Sequence, residues 1–94
     1  MAKTIEIPYN VAFDTTIPHG AKLLYGVFDK LKNGDGYCVM SNKKLADLFS
    51  VSRHTISIWV HDLETACHID VYNENTSELN DATERRIFPL EVTK

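Results

Sequence analysis

The chain has 94 residues, 10 Lys+Arg against 13 Asp+Glu, two cysteines and 44% hydrophobic residues, an ordinary composition for one small globular domain over residues 1–94 that excludes a multidomain architecture. A chain of this size hides somewhat above ~60% of its unfolded surface on folding, enough for one core but not for a large enclosed cavity, so function is expected on a surface. No apolar stretch approaches the ~18 residues of a membrane span, the opening Met1, Ala2, Lys3 and Thr4 lacks the basic-then-apolar pattern of a signal peptide, and a cytoplasmic chain with reduced, buried Cys38 and Cys67 is expected.

Residues 1–17 read as an extended arm: Ile5-Glu6-Ile7-Pro8-Tyr9 alternates apolar and polar residues, and its proline suits an edge rather than a central strand. From His19 to Lys32, Leu24, Val27, Phe28 and Leu31 recur at spacings of three and four, which predicts a first helix ending at Asn33-Gly34-Asp35-Gly36. Tyr37-Cys38-Val39-Met40 reads as a short strand. Ser41 is placed to cap a two-turn helix with Leu45, Leu48 and Phe49 as its stripe, and Ser52, after the three-residue break Ser50-Val51-Ser52, to cap a third helix from Arg53 to about Ala66. On a helical wheel Ile56, Val60, Leu63 and Cys67 form the buried face of that helix, and His54, Ser57, Ile58, His61 and Thr65 the opposite one. Beyond Cys67 the period shortens to two, predicting antiparallel strands at Ile69–Asn73 and from Arg86 to Leu90 joined by a polar loop, a wing over residues 68–92.

Charge is unevenly placed. Residues 1–40 and 41–68 each balance to zero, whereas residues 69–94 hold Arg85, Arg86 and Lys94 against six acids, for −3. Three of the four histidines, His54, His61 and His68, fall within residues 41–68. Two short helices joined by a three-residue turn over 41–66, then a hairpin, are the parts of a helix-turn-helix with a wing.

The run Ser41-Asn42-Lys43-Lys44-Leu45-Ala46-Asp47-Leu48-Phe49-Ser50-Val51-Ser52-Arg53-His54-Thr55-Ile56, with Leu63 seven residues on, resembles the helix-turn-helix of winged-helix domains in plasmid and phage replication initiators. Gly20-Ala21-Lys22-Leu23-Leu24-Tyr25-Gly26 is similar to the first helix of that group, and Arg85-Arg86-Ile87-Phe88 to its returning wing strand. The resemblance spans residues 5–90 and implies an α+β winged helix that binds double-stranded DNA in replication initiation; those initiators normally continue into a second domain. If the third helix enters a major groove, its first turn and outward face lead: Ser52, Arg53, His54, Thr55, Ser57, Ile58 and His61. Arg53 suits guanine or phosphate, Ser52 and Thr55 phosphate oxygens, His54, Ser57 and His61 base edges, and Ile58 a thymine methyl. Lys43 and Lys44 are placed to meet phosphate at a helix N-terminus, and Arg85 and Arg86 are the wing cations within reach of one.

The sequence departs from the family pattern at three places. Ala66-Cys67-His68 stands where a helix-ending glycine is usual, Trp59 where a small or polar residue is usual, and the wing is acidic. Two other readings follow: a small transcriptional repressor acting as a homodimer, or a winged helix docking on a replication or host protein through Trp59, Ile58 and the acidic wing. No Cys-x-x-Cys or His-x-x-x-His spacing, glycine-rich phosphate loop or oriented Ser-His pair occurs, so neither a metal, a cofactor nor catalysis is expected.

Overall fold

Two serine hydroxyls set the frame of the middle of the chain. In a computed structural model, which describes residues 4–75 and 83–90, Ser41 Oγ accepts from the Lys44 amide at 3.1 Å and Ser52 Oγ from the Thr55 amide at 3.1 Å. Each satisfies a backbone donor that the first helical turn leaves open. The helices they start are α3 (Asn42–Phe49) and α4 (Arg53–Thr65), preceded by α1 (Tyr9–Ala12) and α2 (His19–Leu31). Strands β1 (Cys38–Val39), β2 (Ile69–Asn75) and β3 (Thr83–Pro89) form an antiparallel sheet in the order β1-β3-β2. Val71 faces Ile87 across the β2–β3 pair, and Cys38 faces Ile87 from β1. This arrangement is the expected α+β winged helix. No helix among the described residues is long and apolar enough to cross a membrane.

The core lies where α2, α3, α4 and the sheet meet. Leu24, Phe28, Leu45, Ile56, Leu63, Ile69 and Ile87 have no exposed surface there, each contributing about 1.5–3 kcal/mol by leaving water. Tyr25 belongs to the same cluster and donates its hydroxyl to the Leu90 carbonyl at 2.6 Å, joining α2 to the end of β3.

Two expectations need correction. The arm is not extended throughout: Pro8 takes the cap position of α1 with its carbonyl accepting from Val11 and Ala12, and the turn seats Val11 in the core. A four-residue helix is too short to show a period against the alternation before it. Cys67 is exposed, not buried. The wheel overran the helix, because Cys67 adopts φ 64, the left-handed conformation that glycine usually supplies. Its amide bonds Glu64 O and that of His68 bonds Leu63 O, the paired closure of a left-handed helix end.

That exit feeds His68 into the domain, where it holds the N-terminal segment against α4. His68 Nε2 lies 2.7 Å from Asp14 Oδ2, and the edge of the imidazole meets the Tyr25 ring. The Thr16 hydroxyl, donating to Asp14 at 2.5 Å, is the main cause that holds the Asp14 carboxyl down from 3.8 to about 2; the Thr16 amide and then His68 add to it. A carboxyl depressed by folding stabilises the fold above its unfolded pKa and loses that contribution as pH falls through the folded one. The thermal stability of the wild type is therefore expected to fall between about pH 4 and pH 2 more steeply than that of Asp14→Asn. Parallel acid limbs would remove this role.

Candidate nucleic-acid interface

Because Ile56, Val60 and Leu63 anchor α4 to the core, its opposite side must face solvent. Arg53, His54, Ser57, Ile58 and His61 are all exposed on it, and Ile58 retains 46% of its surface. Thr55 is half-buried, its hydroxyl 2.9 Å from Ser52 Oγ. Ser52 and Thr55 thus serve the cap first, leaving one hydroxyl proton and spare lone pairs for any further partner. His61 Nε2 stands 3.5 Å from Thr65 Oγ1 one turn on, a long contact that orients the ring only loosely.

Lys43 and Lys44, the second and third residues of α3, are exposed beside the Ser41 cap. Ser50 makes the turn between α3 and α4 at φ 57, while the Val51 amide bonds back to Ala46 O and its side chain packs against the core. Buried Ala46 is the small residue at the start of this turn. The sequence thus located α3, the turn and the outward face of α4 correctly, and the fold gathers seven of the expected residues on α4 and its cap.

The wing arginines are placed differently. Arg85 reaches back to Met40 O at 2.6 Å, half-buried, joining β3 to the residue just before the Ser41 cap. Burial lowers its pKa, with the Cys38 thiol nearby opposing the shift. It ties the base of the wing to the entry of α3 through one of its N–H groups, and the guanidinium keeps its charge and its other donors. Arg86 lies across the Tyr37 ring, its Cζ 4.9 Å from the centroid. Both sit opposite residues 72 and 73 of β2, at the base of the hairpin; of the loop expected from Asn75 to Thr83, the two end residues belong to β2 and β3, and residues 76–82 lie outside the described residues.

Trp59 is not a free docking side chain. It is half-buried, meets Phe49 edge-on with centroids 5.8 Å apart, and covers Gly20 so closely that a Cβ there would stand 2.1 Å from Trp59 Cζ2. The ring bridges α2, α3 and α4, a packing role that its unusual place in the pattern did not reveal. Sequence reasoning also missed the Asp14–His68 pair, whose members lie 54 residues apart; lone residues carry no local signal of such a contact.

Comparison with known proteins agrees with this geometry. A family model described as a helix-turn-helix domain matches residues 15–69. The chain is also similar in fold to a solved structure described as "Structure of Rep-DNA complex", with a TM-score of 0.62 and 18% identity, covering 98% of this chain and 79% of that one. No curated protein sequence matches it.

Proposed function

Since this chain belongs to the helix-turn-helix domain family, we propose that it binds double-stranded DNA by setting the first turn and outward face of α4 into the major groove, with the start of α3 on the phosphate backbone. One observation carries the reading. The N-terminus of a helix is its positive end and favours acids, yet neither α3 nor α4 has an acid in its first turn. Those turns instead hold Lys43 and Lys44 in α3, and Arg53 and His54 in α4. Cations at the positive ends of two neighbouring helices weaken each helix slightly and make sense where a polyanion meets both.

In this pose Arg53 grips guanine or phosphate, Lys43 and Lys44 hold phosphate, His54, Ser57 and His61 meet base edges, and Ile58 touches a thymine methyl. We assign the chain to DNA replication initiation in a plasmid or phage. The fold likeness to a Rep protein solved with DNA supports that assignment, as do the motif residues Ser41 to Ile56.

Titrating a labelled random-sequence duplex with the protein and following fluorescence anisotropy tests the reading. With Lys43, Lys44 and Arg53 as phosphate contacts, the logarithm of the affinity should fall with the logarithm of salt at a slope of roughly −3. No binding at low salt, where even sequence-independent contacts register, would exclude it.

A further inference from the structure

The sheet and the helix-turn-helix meet at one carbonyl. Cys38 registers with Ile87 and Val39 with Arg86, so one further step along the same register would set Met40 opposite Arg85. The chain leaves the sheet before that step: β1 ends at Val39, and Met40 leads into the Ser41 cap of α3. At the point of departure the Arg85 side chain takes over, donating to Met40 O at 2.6 Å. Its placement is unusual for a charge. Side chains alternate along a strand, so Arg85 shares the inner side of β3 with fully buried Ile87, where an apolar residue would serve the core and an arginine is costly unless hydrogen-bonded. What arginine adds there is a hold on the residue before the cap.

That hold reaches the candidate interface in two steps. The Met40 carbonyl and the Ser41 amide belong to one planar peptide unit, so fixing the first fixes the second. Ser41 in turn frames the opening of α3, its hydroxyl accepting from the Lys44 amide and its carbonyl from that of Leu45, each at 3.1 Å. Lys43 and Lys44 are exposed on the turn so framed. We propose, resting on the duplex reading above, that Arg85 is a positioning residue of the DNA interface: by pinning the Met40–Ser41 peptide to β3, it sets the direction in which Lys43 and Lys44 meet phosphate. β3 thereby belongs to the site without touching the duplex. The base of the wing and the start of α3 engage DNA as one body.

The test sets Arg85→Met, which keeps an unbranched stem and removes every donor, against wild type on a labelled random-sequence duplex at low salt. Both are compared again in a background carrying Lys43→Met and Lys44→Met. In the native background Arg85→Met should weaken binding about tenfold. In the double-lysine background it should change the affinity by less than about twofold, because the groups it positions are gone. Equal losses in both backgrounds would overturn the proposal and make Arg85 itself a phosphate contact; unchanged affinity in the native background would overturn it and leave the bond to Met40 a structural one. A second reading needs no variant. In labelled wild type the Arg85 guanidinium N–H signals should hold their shifts as duplex is added while the ammonium signals of Lys43 and Lys44 move, and Arg85 signals that move as far as those of the lysines would overturn the proposal too. A wild type that binds no duplex at all removes the DNA reading and this proposal with it, whereas failure of the Arg85 role alone leaves wild-type binding intact.

Discussion

Gly20→Ala is expected to destabilise the domain by about 1–3 kcal/mol, although alanine is the better helix former. The added Cβ would stand 2.1 Å from Trp59 Cζ2, 2.4 Å from Cη2 and 2.6 Å from Cε2, where carbon atoms rest at roughly 3.5–4.0 Å. Relief requires moving a rigid indole whose other side meets Phe49, so α4 itself must shift against α2 or α3. The helix propensity gained, up to about 1 kcal/mol, is smaller than this cost. In a Trp59→Ala background the clash disappears and Gly20→Ala should become neutral or slightly stabilising, a coupling that chemical denaturation of the double-mutant cycle measures. Equal effects of Gly20→Ala in both backgrounds would show that Trp59 does not occupy this seat.

Arg53→Ala should move stability and affinity in opposite directions. Arg53 is the first residue of α4, exposed, and no carboxylate among the described residues pairs with it. Removing its charge from the positive end of the helix should stabilise the fold by about 0.3–1 kcal/mol. Duplex affinity should nevertheless fall by about 1–3 kcal/mol if Arg53 forms a bidentate contact with guanine, or the salt slope should shrink by about one if it holds phosphate. A structural residue loses stability and binding together, whereas a contact residue that strains its own helix separates them. Unchanged affinity in a more stable variant would remove Arg53 from the interface.

What the sequence revealed divides by distance along the chain. Spacings of three and four located α2 and α4, and Ser41 and Ser52 were legible as caps because their acceptor role is local. The outward face of α4 followed from the same periodicity, and with it most of the candidate site. Cys67 was misread because a helical wheel assumes that the helix continues, and a left-handed cysteine carries no glycine to announce the exit. The bond of Arg85 to the Met40 carbonyl was not legible because that partner lies 45 residues away and is backbone. The packing role of Trp59 is hidden for the same reason, since only the packed helices bring Gly20 beneath its ring. The aromatic contacts on the sheet required the strand register: Tyr37, Tyr72 and Phe88 come from three separate segments.

The central claim is that duplex DNA meets the outward face of α4 and the start of α3. Amide chemical shifts of the isotopically labelled protein, followed through a titration with duplex DNA at low salt, test it residue by residue. The largest changes are expected at Lys43, Lys44, Arg53, His54, Ser57, Ile58 and His61, with Tyr72 and Phe88 unmoved. Changes concentrated on β2 and β3, or a spectrum that the duplex leaves unaltered, would contradict it.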